Sequence, residues 1–305
     1  MTAQHDELCA ALAAEASRPW AVEPHCASRL STLLHDLTSG KDPGPARIRA
    51  AIGSSPSAAA PRSLTEAMRE AQSRPAGVAI IRVNGLILFS LDTEFSTGMM
   101  QLIQRTRAAV EDKRIGTLVF IHSSPGGTVT GLPEASREIR AARERKRVIS
   151  FVAPLSASAS YWLASQAHQV IAMPSANVGS VGVFMLHQDF SKALDSAGVR
   201  PTFITAKTSP RKVDGNPFEP LGATAKADLQ RSADAVGQQF IRAVAIGRGV
   251  DIGTVGRDFG QGRLLMSGDA LRAGMIDQIV ADLPTVLRTA DSRRRHARLE
   301  MLRNG

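Results

Sequence analysis

From Gly77 onward, short apolar runs and helical stretches take turns along the chain, and this alternation is what most narrows the fold. Strand-like runs at Val78–Val83, Thr117–Ile121, Val148–Val152, Gln169–Ala172 and Pro201–Ile204 are interleaved with helical spacing at Thr97–Asp112, Pro133–Glu144, Tyr161–Ala167 and Asp189–Ala197. One such run alone is ambiguous between a buried strand and a helix. Strands fed by intervening helices, however, pair in parallel through crossover connections. The expectation is an α/β fold with a largely parallel sheet and crossover helices. Upstream, Leu8, Ala11, Leu12, Leu30, Leu33, Leu34 and Leu37 fall at helical spacings, followed by Pro43-Gly44-Pro45 and Ser54-Ser55-Pro56-Ser57, which resist regular structure. The expected organisation is a helical N-terminal segment at 1–40, a Pro/Gly/Ser-rich linker and helix at 41–76, a main domain at 77–282 and a basic tail at 283–305.

At 305 residues the chain can bury a full core, so one large domain with an appendage is expected rather than two equal ones. The apolar stretch from Gly77 to Leu88 is interrupted by Arg82 and Asn84, and the N-terminus lacks the basic-then-apolar order of a signal peptide. A cytoplasmic protein with no membrane partner is expected. The two cysteines, Cys9 and Cys26, suit neither a disulfide scaffold nor a metal site. The formal charge of +9 is partly concentrated in Arg293, Arg294, Arg295, Arg298 and Arg303. That cluster reads as a solvated helical tail or as a contact for a polyanionic partner. With no aromatics interleaved, recognition of nucleic-acid bases is not expected.

Chemistry concentrates in four motifs. Leu155-Ser156-Ala157-Ser158-Ala159-Ser160-Tyr161-Trp162 places small residues and hydroxyls between the run Val148–Val152 and a helical apolar face, with Pro154 marking the break. A serine at such a junction lies near unpaired N–H groups and the positive end of a helix dipole, which favour developing negative charge. An ordinary helix cap has the same composition. Ser123-Ser124-Pro125-Gly126-Gly127, after an apolar strand, reads as an anion-binding loop whose glycines aim consecutive N–H groups at one point, or as a Pro-Gly turn. Asn177-Val178-Gly179-Ser180-Val181-Gly182-Val183 implies close backbone approach or a bulge, with Ser180 available to orient a base. Lys212-Val213-Asp214-Gly215-Asn216-Pro217 lies in a polar loop. A catalytic serine needs a base, and His122, His168 and His187 do not stand in a Ser-His-Asp arrangement. A lysine serves if its surroundings hold it neutral, and Lys212 is the candidate, with Lys207 its nearest competitor. The Gly-rich stretch Gly247–Gly262 lacks phosphate-loop order, so no metal, nucleotide or other cofactor is expected.

The order of these motifs resembles the signal peptide peptidase A family of Ser-Lys peptidases. Arg18-Pro19-Trp20-Ala21-Val22, Lys212 through Leu221, and Phe240-Ile241-Arg242-Ala243-Val244-Ala245 with Gly247-Arg248-Gly249 resemble its branch of phage and prophage capsid-assembly, or prohead, proteases. The resemblance covers about residues 77 to 282 and implies a Clp protease/crotonase-like fold. Carried over by position, it implies Ser158 as nucleophile, Lys212 as general base, Gly126 and Gly127 as the oxyanion loop and Ser180 near the dyad. Ser160 and Ser123 depart from the family pattern, and Ser156 and Ser160 are fallback nucleophiles. It also makes Gly262–Asp277 a shared helix-to-strand element. The implied substrates are scaffold, capsid or portal-associated proteins and the protease's own ends. Because single-repeat bacterial members draw Ser and Lys from adjacent subunits, it implies a homo-oligomer. A cellular signal-peptide-fragment peptidase and a non-catalytic assembly module are the alternatives.

Overall fold

The apolar runs build a sheet, and its longest strands carry the motifs. The structure, a computed structural model, describes residues 20–22, 29, 32–33, 36, 77–93 and 96–289. Its strands are β1 (Trp20–Val22), β2 (Val78–Leu88), β3 (Ser96–Gly98), β4 (Thr117–Thr128), β5 (Arg147–Ala157), β6 (Gln169–Ala172), β7 (Asn177–Gly179), β8 (Leu264–Met266) and β9 (Gln278–Ile279). Its helices are α1 (Met99–Glu111), α2 (Leu132–Ala142), α3 (Ala159–Ala164), α4 (Ser191–Ser196), α5 (Ala223–Arg248), α6 (Ile252–Asp258) and α7 (Ser267–Arg272). The main path runs β3-β2-β4-β5-β6-β9, with every neighbouring pair parallel. Two antiparallel additions flank it: β1 on the C-terminal end of β4, and β8 on β7, which itself lies parallel to the end of β5. The mixed α/β architecture and parallel sheet are those the sequence leads one to expect.

Both faces of the sheet are covered, as parallel sheets require. On one face Phe120, Leu118, Val148 and Val152 join residues of α1, α2, α3 and α5 in a single apolar cluster. On the other, Val119, Ile121, Ile149, Phe151 and Ile171 meet Val286 and Leu287. Residues 283–289 are helical, so this second face is closed by part of the stretch that composition alone assigns to the basic tail. An ion pair ties the far edge: the Arg248 side chain, 7 % exposed, donates to the more exposed Asp277 at 2.6 Å and to the Gly274 carbonyl. Asp277 in turn accepts from the Val170 amide.

Three local expectations need correction. Ser123–Gly127 is not a loop; it lies within β4, which continues to Thr128 and is buried throughout. Pro154 does not end the preceding strand. β5 runs on to Ala157, and its register with β4 jumps from His122↔Val152 to Ser123↔Leu155, so the proline sits in a bulge, where a missing N–H costs no ladder bond. Pro201–Ile204 forms no strand: it has no regular structure, Phe203 meets the ring of Phe218, and Ile204 is 96 % exposed. The element at Gly262–Asp277 does contain a helix, α7, leading to the strand β9.

Candidate active site

Ser158 occupies the turn between β5 and α3 with φ 53° and ψ −117°, a region that non-glycine residues avoid. Holding it there costs about 1–3 kcal/mol. Two backbone bonds enforce the turn: the Ser158 amide donates to the Gly179 carbonyl at 2.7 Å, and the Ser158 carbonyl accepts from the Trp162 amide at 2.9 Å. A sharp strand-to-helix turn of this kind lifts the side chain off the end of a sheet and sets it beside the first amides of the helix, which have no acceptor within the helix. Its hydroxyl donates across a long 3.4 Å contact to the Gly182 carbonyl, and the residue is fully enclosed at 0 % exposure.

The helix behind it is fixed on every side. All six residues of α3 are buried. Tyr161 donates its phenol to the Met275 carbonyl at 2.9 Å, and burial pushes that phenol's pKa up. Trp162 donates to the Ser136 hydroxyl at 3.0 Å and stacks on Phe240 with ring centroids 4.7 Å apart. Such packing is what holds a strained residue in place.

Beneath the turn runs a polar chain. Ser156 and Ser160 share a hydrogen bond at 3.0 Å, Ser160 meets His122 Nδ1 at 3.0 Å, and His122 Nε2 meets Ser150 at 3.2 Å. All four residues are fully buried. Burial pulls the His122 imidazole down to about 3, so it is neutral and can donate from one nitrogen while accepting at the other. The hydroxyls of both fallback serines are therefore committed to partners inside the core, whereas that of Ser158 makes only its long contact.

Ser180 follows Gly179, the residue whose carbonyl holds the Ser158 amide. Ser180 also has a positive φ, 52°, and its amide donates to the Arg263 carbonyl at 2.8 Å. Gly179 has φ 124°, and a Cβ there would lie 2.9 Å from the same carbonyl, which explains the glycine. Gly127 is required for a different reason: a Cβ would fall 1.9 Å from the Ile87 carbonyl oxygen on β2. The amide of its neighbour Gly126 is engaged, donating to the Ser124 hydroxyl at 3.1 Å, which donates on to the Gly85 carbonyl at 2.6 Å. The glycine pair thus lies inside the sheet, paired with β2 on one side and β1 on the other, with close packing as one of its causes.

Lys212 lies elsewhere on the chain. It sits in a 3-10 turn, Pro210–Val213, and is exposed; no hydrogen bond joins it to Ser158 within the chain. This turn belongs to a projecting arm, residues 185–222, whose two limbs are fastened by His187 Nε2 with the Asn216 carbonyl at 3.0 Å and by the Phe190 amide donating to the Pro217 carbonyl at 2.8 Å. Phe203 stacks on Phe218, and Arg211 pairs with Asp214 and Asp228, tying the arm to α5. Leu186, Val199, Phe203, Ile204 and Phe218 are all exposed on it. Sequence reading singled out Lys212 but not the apolar character of the arm that carries it; the run Pro201–Ile204 was the available signal. The arginine-rich stretch from Arg293 lies outside the described residues.

The family model described as Peptidase family S49 matches residues 140–294, just over half of the chain, and spans Ser158, Ser180 and Lys212. The chain belongs to peptidase family S49. This is the signal peptide peptidase A family of the sequence resemblance. The chain is 30% identical over 221 residues to the "Capsid assembly protease C" of Escherichia phage lambda, covering 70% of this chain and 49% of that protein. It is 29% identical over 221 residues to the "Head-tail preconnector protein GP5" of Enterobacteria phage P21, covering 70% and 43%. A cellular relative, "Protease 4" of Haemophilus influenzae, is 25% identical over 210 residues, covering 67% and 33%. The chain spans less than half the length of each of these three proteins. Among the described residues no helix is long and apolar enough to cross a membrane, and no group of three or more His, Cys, Asp or Glu is placed to hold a metal ion.

Proposed function

We propose that the chain is a serine endopeptidase in which Ser158 is the nucleophile and Lys212, supplied by a neighbouring copy, is the general base. The observation that carries this reading is the strained conformation of Ser158 at a strand-to-helix turn, within a chain that belongs to a peptidase family. The neutral Lys212 amine takes the Ser158 proton as the hydroxyl attacks a peptide carbonyl, forming a tetrahedral oxyanion. Amides at the start of α3 hold that charge, joined by the Gly126-Gly127 backbone once the Gly126 amide leaves the Ser124 hydroxyl to which it donates here. Lys212 then gives its proton to the leaving amine, and water releases the acyl group from Ser158. In this reading Ser180, adjacent to the carbonyl that anchors Ser158, orients the lysine supplied by the neighbouring copy.

An exposed lysine on an arm with exposed apolar side chains favours a dyad completed between subunits, because burial against a partner supplies the desolvation that holds an amine neutral. The two phage relatives favour head maturation, on scaffold and capsid-associated proteins within assembling proheads in the host cytoplasm, as the setting. Similarity to Protease 4 supports the second reading, degradation of signal-peptide fragments. Co-expression with the neighbouring scaffold and major capsid proteins, followed by intact mass, separates the two. Cleavage by the wild type that disappears in both Ser158→Ala and Lys212→Ala is the expected result. Unchanged cleavage in both variants would sink the dyad. Cleavage of signal-peptide fragments with the head proteins left intact would move the assignment to the cellular reading.

A further inference from the structure

The strand β1 holds an unusual place. On one edge of β4, β2 is paired as far as Ile87↔Gly127. The opposite edge belongs to β5 up to Ser124↔Ser156, after which β5 ends and the chain turns out of the sheet at Ser158. From Gly126 onward that vacated edge is taken by β1, running antiparallel with Val22↔Gly126, Ala21↔Gly127 and Trp20↔Thr128. Had β5 continued, Gly126 would face Ser158; it faces Val22. The other side of β1 is bonded too: the Trp20 amide donates to the Phe184 carbonyl and the Phe184 amide to the Trp20 carbonyl, both at 3.1 Å. Phe184 lies two residues beyond Gly182, whose carbonyl meets the Ser158 hydroxyl.

An extended segment held by backbone bonds on both sides, beside an enclosed serine, has the arrangement of a bound peptide. Strand addition to a sheet edge is a general mode of peptide recognition, in which main-chain bonds provide affinity and alternate side chains provide selectivity. Trp20 and Val22, two apart on one face, are both buried. We propose that Trp20–Val22 is an internal occupant of the peptide slot beside Ser158 and competes with substrate for the Gly126–Thr128 edge. The slot then takes extended peptides with large apolar side chains at alternate positions, and the chain is restrained until its own segment withdraws. This inference rests on the reading of Ser158 as nucleophile only for its catalytic consequence.

The test uses the full chain carrying Ser158→Ala, so that binding is read without turnover, and a fluorescent synthetic peptide of the sequence Arg18 to Glu23. Adding Trp20→Ala empties the slot and should tighten peptide binding about tenfold or more, since apparent affinity scales with the fraction of open sites. Trp20→Phe, which keeps a large apolar side chain, should stay near the parent. Circular dichroism checks that each chain is folded. If Trp20→Ala unfolds the chain, hydrogen exchange of the parent serves instead: added peptide should release protection at residues 20–22 and keep it at residues 126–128. Equal affinities in folded variants, or protection at 20–22 that peptide leaves unchanged, would overturn the proposal. A wild type that binds peptide but cleaves nothing would overturn the Ser-Lys reading alone.

Discussion

At Ser158 the backbone is held against its own preference, and two predictions belong to this scale. Glycine adopts φ 53°, ψ −117° without steric penalty, so Ser158→Gly should stabilise the chain by about 1 kcal/mol, or roughly 2–4 °C in Tm, while abolishing cleavage. A thermal scan beside Ser158→Ala measures it, and a loss of stability would mean the turn is not strained. His122 supplies the second. Its imidazole, held at about 3 in the fold against 6.5 in the unfolded chain, binds fewer protons when folded at any pH between those values. Stability is therefore fully present above about pH 6.5 and is lost as the pH falls toward 3. From pH 7 to pH 5 this group should remove about 2 kcal/mol. Urea unfolding of the wild type and of His122→Leu at both pH values should show that extra loss only in the wild type. Identical pH slopes would mean that His122 is not buried neutral. The partnering of His122 with Ser160 and Ser150 was not legible in the sequence, because the three are brought together only by strand register and the β5-to-α3 turn.

At the scale of elements, the alternation of runs identified β2, β4, β5 and β6 but not where the long strands end, and it passed over the short β3 and β9 at the two edges of the main path. Thr117–Ile121 looked like a strand because it is apolar, and Ser123–Gly127 looked like a loop because it is Ser, Pro and Gly. In the fold the second stretch is as deep in the sheet as the first, since β2 and β1 satisfy its backbone from both sides. Glycine there marks close approach to β2, not a turn. Gly127→Ala should accordingly cost about 3 kcal/mol through collision with the Ile87 carbonyl, measured by urea unfolding, whereas a loop position would absorb the methyl group with little change. The long helix α5 is also not legible in the sequence. Few of its residues are buried, chiefly near its C-terminal end around Phe240 and Val244, so its first half shows little apolar periodicity. Pro201–Ile204 erred the opposite way: apolar content there marks an exposed arm, and pattern alone does not say which surface an apolar run meets.

At the scale of the whole molecule, Ser158 sits in the body of the fold and Lys212 on a projecting arm with exposed Phe203, Ile204 and Phe218. A single copy holds both groups without joining them, and the proposed function has copies associate through the arm to bring them together. Ile204→Asp should shift the protein from oligomer to monomer in size-exclusion chromatography with light scattering. It should also lower cleavage at least tenfold, by separating the dyad. An intact oligomer with full activity would place the interface elsewhere. The order of motifs suggests Ser158 and Lys212 as a pair, but sequence order says nothing about whether two groups meet within one chain or between two. Mixing decides it most directly. Ser158→Ala and Lys212→Ala chains, each inert alone, should on co-assembly in equal amounts recover about a quarter of the wild-type cleavage rate, since random mixing pairs an intact serine with an intact neighbouring lysine at that frequency. A mixture as inert as its components, with mixed oligomers shown to form, would contradict a dyad shared between subunits.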